Sequence, residues 1–428
     1  MADAVRTPDL IRVHPDGHYL EHPDETPFFW LGDTAWELFH RLTREEIVRY
    51  LDARAAQGFN VVQAVGLAEL DGLKTANREG HLPLQDLDPA RPNEPYWELV
   101  DFAVREAYAR GIYIALLPTW GDKFCTLWGD GPAVFTRQNA RAFGEWIGAR
   151  YGAFPNVIWV MGGDRPVQGE DLQVVRAMAE GVRETEGEKH LMTLHPMGGQ
   201  SSSAYVHGEP WLDFHMFQSG HGWFTERPDR FAERDWHRSP TMPVLDGEPC
   251  YENHRPFRGM HELKDLSIPP FMAYHVRRAC YQSVFAGGCG VTYGCHAIWQ
   301  MYDGSQSPIN HPIGTWWQSL GLPGAQQLRH LRDLTLTLGL PHLEPDQSLI
   351  VEGLGEGSDI ARAIRRSDGS AGAVYFPWPR RVRLTDAAMQ RPLAWFDPRT
   401  GASQPAVAMD AGLHSPTAED WVLTFGIE

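Results

Sequence analysis

Cysteine is scarce in this chain: five residues among 428, Cys125, Cys250, Cys280, Cys289 and Cys295. An odd number without a Cys-x-x-Cys pair disfavours both a disulfide framework and a zinc knuckle, and a reducing compartment fits best. Long apolar runs are also missing. No stretch of about 18 apolar residues occurs, and the first twenty residues lack an apolar h-region, so the expectation is a cytoplasmic protein without a membrane span. Positive charge is in deficit, with 38 Lys+Arg against 55 Asp+Glu, a net charge of −17 and no Lys/Arg run. Such a surface repels polyanions, which argues against nucleic acid and anionic membranes as partners.

Several catalytic signatures are absent too. Among 19 histidines there is no His-x-His pair and no His-Glu-x-x-His, so the usual zinc hydrolases lack their ligands and no metal is expected. Gly199-Gln200-Ser201-Ser202-Ser203 lacks the closing glycine of a nucleophile elbow, and its serines read as a flexible loop. Gly353-Leu354-Gly355-Glu356-Gly357 has the wrong spacing for a dinucleotide turn, and no cofactor is expected. What is abundant is tryptophan: 16 residues, beside 13 Tyr and 19 Phe. Indoles fill cores, but they also make the flat apolar walls on which sugar rings stack.

The chain is organised as repeated helix–glycine–strand units. Thr43-Arg44-Glu45-Glu46 is a capping box that opens a helix running to about Gln57; Gly58 stops it, and the apolar run from Phe59 follows. The unit recurs at 95–118 and at 136–163. Before it, 10–29 reads as two short strands around the Pro15-Asp16-Gly17 turn. Counting from Phe28, eight strand candidates occur by Gly294, with helices near 169–186, 269–286 and 323–338. Eight is the number that closes a (β/α)8 TIM barrel, and the rival, an open doubly wound sheet, lacks its phosphate turn. Past Pro341 short alternating segments separated by Gly, Pro and Asp turns predict a small antiparallel β-sandwich. The domain division is therefore 1–340, the barrel with its N-terminal hairpin, and 341–428, an accessory sandwich.

A barrel of this kind works at the C-terminal ends of its strands. The polar and aromatic residues expected there are Asp33, Trp36, Gln63, Trp120, Lys123, Asp164, His195, Gln218, His221, Asp246, Glu248, Tyr293 and His296, joined by Tyr251 and Trp299. Asp164 and Glu248 end the fourth and seventh strands and can approach a glycosidic bond from opposite sides. Acetal cleavage needs a proton on the departing oxygen and negative charge against an oxocarbenium-like transition state, which two carboxyls with divergent pKa values supply. The Gly162-Gly163 pair before Asp164 is expected to leave room for substrate. Trp36, Trp120, Trp223 and Trp299 are candidate stacking walls, and Gln218, His221 and His296 candidate hydroxyl readers. Each has a structural alternative: Asp164 as a turn or cap residue, Glu248 as a loop carboxylate with Glu252 competing for its role, and the histidines as hydrogen-bonded core residues. Trp97, Trp146 and Trp159 fall at positions expected to be core.

The segments His14-Pro15-Asp16-Gly17-His18-Tyr19-Leu20, 28–39, 156–164 and Leu245-Asp246-Gly247-Glu248-Pro249-Cys250-Tyr251-Glu252 resemble the apiosidase-like glycoside hydrolases, glycoside hydrolase family 140 and its relatives. The resemblance spans nearly the whole chain, and 394–401 resembles the small β-sandwich, labelled collagen-binding, that follows the barrel there. It implies a retaining, exo-acting glycosidase of plant-type oligosaccharides, with β-apiosidase action on pectic side chains as the family's named activity. It also implies Asp164 as general acid/base and Glu248 as nucleophile. Two other classes remain open: a catalytically silent carbohydrate-binding protein, and a metal-dependent isomerase or aldolase barrel using Glu248, Asp246 and His221.

Overall fold

The computed structural model describes residues 6–187, 189–256, 266–407 and 412–427. Eight parallel strands form its centre: β1 (Trp30–Thr34), β2 (Val61–Leu67), β3 (Tyr113–Thr119), β4 (Val157–Gly162), β5 (Met192–His195), β6 (His215–Gln218), β7 (Val244–Asp246) and β8 (Gly288–Tyr293). Parallel ladders join β1 through β5 in sequence, β6 through β8 in sequence, and β8 back to β1. Among the described residues the seam between β5 and β6 has no ladder. It is closed by the Asp213 N–H on Met192 O at 2.9 Å, the Met192 N–H on the Asp213 carboxylate at 2.7 Å, and Thr193 Oγ1 on Phe214 O at 2.6 Å. The result is a nearly closed TIM barrel.

Local chemistry sets the layer outside it. Helix α1 (Arg44–Ala56) starts at the expected capping box: the Glu46 N–H bonds Thr43 Oγ1 at 3.3 Å, and the Thr43 N–H bonds Glu46 Oε2 at 2.9 Å. Helices α2 (Glu94–Ala109), α3 (Arg137–Tyr151), α4 (Gly169–Glu186), α5 (Pro228–Trp236), α6 (Ala273–Val284) and α7 (Pro323–Leu338) complete it. Between β5 and β6 stand only a two-residue strand, Gln200–Ser201, antiparallel to β6, and a 3-10 turn, Ser202–Ala204. The serine run is not a flexible loop. Ser201 Oγ and Ser203 Oγ both donate to the Asp235 carboxylate, at 2.5 and 2.8 Å, and Ser202 Oγ lies 3.1 Å from His215 Nδ1.

An N-terminal three-stranded sheet pairs Arg12 with Glu21 and Leu20 with Phe28. Past β8 come two antiparallel sheets. One orders Leu343–Pro345, Arg362–Arg366, Gly372–Phe376, Trp421–Phe425, Leu393–Phe396 and Ser403–Pro405; the other orders Ile350–Glu352, Arg381–Leu384 and Leu413–His414. Val374, Phe376, Trp395 and Trp421 from the first sheet and Val382, Leu384 and Leu413 from the second share one core. This sandwich is fastened to the barrel by buried charge. Arg277 on α6 makes a two-pronged contact with Asp420, at 2.6 and 3.0 Å, and Tyr375 Oη donates to the same carboxylate at 3.1 Å. Arg362 grips Asp229 on α5, with Nε at 2.8 Å. All five cysteines are buried and unpaired.

Candidate active site

The acid-bearing loop begins where β4 ends. Gly162, Gly163 and Asp164 are three consecutive residues in the left-handed region, with φ of +87°, +124° and +47°. The first two need glycine, because a Cβ would lie 2.6 Å from His195 O at Gly162 and 2.8 Å from Gly121 N at Gly163. The glycine pair therefore leaves no room for substrate: Gly121 and the Trp120 ring fill the space beside it. What the pair does is turn the chain sharply, so that Asp164 leaves the strand direction and is 31% exposed while its neighbours are buried.

Glu248 lies two residues past β7, with the Gly220 N–H on its carbonyl at 2.9 Å and Gly247 N–H on Phe217 O at 2.9 Å. Its carboxylate is buried. Oε2 is 2.9 Å from His195 Nε2, and Oε1 is 3.6 Å from His221 Nε2. The other nitrogen of His195, Nδ1, faces the Asp164 N–H at 3.3 Å. One imidazole thus stands between the two acid-bearing loops. Trp36 and Trp120 hold it from the sides, with ring centroids 5.3 and 5.7 Å from His195 and 5.0 Å from one another.

The two carboxyls are pushed in opposite directions. Crowding by protein, then the charge of Glu248, raise Asp164 to about 6, against the opposing pull of Arg165 and His195. Among the described residues its Oδ1 accepts only the Gly198 N–H, at 3.2 Å. Burial would raise Glu248 as well, but His195, His221 and the Tyr251 phenol outweigh burial and hold its pKa below the usual glutamate value. Near pH 5 to 6 the pair therefore holds one proton, on Asp164. Burial lowers His221, and with neighbouring positive groups it takes His296 to about 3 and His254 well below the ordinary range, so these rings act as neutral hydrogen-bonding groups. His221, His254 and His296 form a contiguous wall, with centroids 4.5 and 4.2 Å apart, and Tyr251 lies 4.6 Å from His221.

Other expected site residues sit elsewhere. Alternation along a strand sends neighbouring side chains to opposite faces. Asp33 and Tyr293 are on the outer face: Asp33 accepts from Tyr50 Oη at 2.5 Å and Arg54 Nε at 2.6 Å, both on α1, while Tyr293 Oη donates to Glu252 at 2.7 Å. Glu252 also accepts the Gly324 N–H on α7 and so does not compete with Glu248. Asp246 is likewise turned outward, accepting from Ser219 Oγ and Ser283 Oγ at 2.8 and 2.9 Å. It does not converge with Glu248 and His221 as a metal-binding triad would require. Among the described residues no group of three His, Cys, Asp or Glu side chains is arranged to hold a metal ion.

Gln63 falls in mid-strand, because β2 continues to Leu67, and it braces the barrel by donating to Gly247 O at 2.8 Å. Lys123 is fully buried and ties a loop together through Asp122, Leu70 O and Gly131 O. Trp36 and Trp120, 2% and 3% exposed, support His195 instead of offering an open stacking wall. Trp299 donates to His296 Nδ1 at 3.1 Å, and His296 Nε2 pairs with Asn310 O at 3.0 Å, which fixes the far end of the histidine wall. Gln218 lies against Gly198, beside the Asp164 contact, and its Oε1 is buried with no hydrogen-bond partner among the described residues. The sequence reading missed His254 and Glu69, which lies past the true end of β2.

The comparisons agree with this fold. The family model described as "Apiosidase-like, catalytic domain" matches residues 14–341, and the one described as "Putative collagen-binding domain of a collagenase" matches 344–425. A glycoside hydrolase family 5 structure from Bacteroides vulgatus is 30% identical, with a TM-score of 0.86 over 97% of this chain and 92% of that one. A second structure, titled only glycoside hydrolase, is 29% identical with a TM-score of 0.88, covering 98% of each chain. An endo-1,4-beta-D-mannanase from Thermotoga petrophila shares the fold at 14% identity and a TM-score of 0.50, over 72% of this chain and 100% of its own. No curated protein matches the chain. Among the described residues no helix is long and apolar enough to cross a membrane. With a TIM barrel, a carboxyl pair at its mouth and a family match over three quarters of its length, the chain belongs to the apiosidase-like glycoside hydrolases and is a glycosidase.

Proposed function

We propose that this glycosidase is retaining and exo-acting and releases a terminal sugar, in the manner of an apiosidase, from plant-type oligosaccharides. The observation that carries the reading is the His195 bridge, with a proton-holding Asp164 on one side and an ionised Glu248 on the other. In the first step Glu248 Oε forms a bond to the anomeric carbon while the bond to the leaving oxygen breaks, and that oxygen takes the Asp164 proton. In the second, water attacks the same carbon, its proton passes to Asp164, and the bond to Glu248 breaks. His195 and His221 hold the carboxylate in line, Tyr251 stands against it, and neutral His254, His296 and Gln218 are available to sugar hydroxyls. The family's description supports the apiose-type terminal sugar.

Screening 4-nitrophenyl glycosides, pentofuranosides included, together with plant-wall oligosaccharides identifies the sugar. Proton NMR of the first-formed product should show the anomeric configuration of the substrate. Azide should restore part of the turnover lost in Glu248→Ala, with a glycosyl azide as product. An inverted first product, or full turnover in Glu248→Ala, overturns the assignment.

A further inference from the structure

The loop after β3 carries a tryptophan that this mechanism leaves unused. Asp122 and Lys123 at its start fasten its far side: the Gly131 N–H bonds Asp122 Oδ2 at 3.0 Å, and Lys123 Nζ bonds Gly131 O at 3.2 Å. Trp128 stands between these anchors. The next residue is Gly129, with a φ of +98°, where a Cβ would lie 2.6 Å from both Arg165 Nη2 and Asp122 Cβ. A side chain does not fit there, so the loop is drawn down tightly onto Arg165.

Arg165 joins this loop to the acid. Its Nη2 donates to Trp128 O at 2.8 Å, while Nη1 donates to Asp164 O at 2.7 Å and lies 3.5 Å from Asp164 Oδ2. The same guanidinium sits 4.4 Å from the centre of the Trp128 ring, in a cation–π contact. Arg165 is 2% exposed, whereas Trp128 is only half-buried. The cation covers one face of the indole, so what solvent reaches is the opposite face and the rim. Among the described residues Trp128 belongs to none of the hydrophobic cores. Trp36 and Trp120 stand nearer the carboxyls, but both are buried around His195 and offer no free face.

Position relative to the chemistry gives the direction. Asp164 protonates the departing oxygen, and Glu248 meets the anomeric carbon from across His195. A single guanidinium separates the indole from Asp164, so Trp128 lies on the side of the sugar that leaves with that oxygen, and the terminal sugar held against Glu248 lies beyond it. A sugar ring presents C–H groups on its face and hydroxyls at its rim, and an indole fixed from beneath is complementary to that face. Resting on the glycosidase reading, we propose that Trp128 is the platform for the leaving-group sugar, which stacks on the indole face turned away from Arg165. The favoured substrates then carry a cyclic sugar directly after the scissile bond.

The test compares the parent, Trp128→Ala and Trp128→Phe on a disaccharide ending in the accepted terminal sugar and on the glycosyl fluoride of that sugar, whose one-atom leaving group cannot reach the indole. A 4-nitrophenyl ring would itself stack and is not used. Trp128→Ala should raise KM for the disaccharide by about tenfold, the value of one aromatic stack, while kcat and KM for the fluoride stay within about twofold of the parent's. Trp128→Phe, which keeps a flat ring, should recover most of the loss. An unchanged disaccharide KM, or a loss in Trp128→Phe as deep as in Trp128→Ala, overturns the proposal. So does an equal loss on both substrates, which would make the ring only a support for Arg165 and Asp164. Failure of the underlying mechanism would show differently, as full turnover in Asp164→Ala and Glu248→Ala.

Discussion

Two groups of carboxyls in this molecule, one at the junction of barrel and sandwich and one at the barrel mouth, are treated in opposite ways. At the junction of barrel and sandwich each one has cations: Asp229 lies between Arg227 and Arg362, Asp420 takes both prongs of Arg277, and nearby Asp235 takes Arg234 and Arg238. Hydrogen bonds and cations there outweigh burial, so that Asp229 falls below the usual range and Asp235 is lowered to about 2. At the mouth the partly exposed Asp164 has its neighbouring arginine, Arg165, at 3.5 Å, and both it and the partly exposed Glu69 are raised. A paired buried carboxylate holds structure together. One without a close cation holds its proton to a higher pH, which suits a group that must give a proton up and take it back.

The largest effect that could break this contrast concerns activity without stability. Glu248→Ala should lower kcat/KM by roughly 10^4-fold or more, with thermal unfolding close to the parent's. Asp164→Ala should lose roughly 10^2 to 10^4-fold on poor leaving groups and much less on 4-nitrophenyl glycosides, whose leaving oxygen needs little protonation. The junction should behave in reverse. Asp420→Ala strands Arg277 in a buried site and should cost about 3–5 kcal/mol of stability by denaturant titration, while the protein that remains folded keeps the parent's KM. A turnover defect in Asp420→Ala as deep as that in Asp164→Ala would show that the two regions are not separable.

A smaller effect is the pH profile. The working form has Asp164 protonated and Glu248 ionised, so kcat/KM should decline as pH rises through about 6 and should also decline on the acid side, below the usual carboxylate range. Linkage gives a companion measurement. Because Asp164 binds its proton more tightly folded than unfolded, its contribution to stability is present at low pH and lost as pH rises through about 6. Asp164→Asn should therefore melt above the parent at pH 8, and by a smaller margin at pH 5. A margin that shrinks toward alkaline pH would contradict the raised pKa.

These contrasts explain what the sequence could and could not reveal. The barrel was legible because its units are local: the Thr43 capping box, the Gly58 stop and the apolar run after it each act over a few residues. The position of Asp164 at the end of β4 was legible from the apolar run before it, but the purpose of the glycine pair was not, because the turn it makes depends on Gly121, Trp120 and His195, which come from other strand ends. Asp33 and Tyr293 were misplaced because strand ends alone do not fix the face, and one residue of phase moves a side chain from the mouth to the helix layer. Gln63 was placed at the strand end because a glutamine reads as the close of an apolar run, whereas β2 passes through it and continues to Leu67. The histidine wall was only partly visible, since His221, His254 and His296 meet across three loops and no spacing in the chain records it. The serine run was misread because its anchor, Asp235, lies more than thirty residues away.

The smallest effect separates two causes that coincide at the mouth, closeness to the cleft and lack of a cation. Asp246 shares the second without the first. It faces the helix layer, it is fully buried, and its partners are the hydroxyls of Ser219 and Ser283. Burial takes it up to about 7, with those hydroxyls pulling the other way. If the missing cation is what matters, stability should fall as pH rises through about 7, by a melting-temperature change of roughly 2–4 °C for each 1 kcal/mol involved. Asp246→Asn, which cannot ionise, should remove this slope while leaving the decline of kcat/KM near pH 6 in place. Parent and variant melting curves that run parallel from pH 6 to 8 would mean that the carboxyl is already ionised, held by two hydroxyls alone. The distinction between paired and unpaired acids would then apply only to groups beside the cleft.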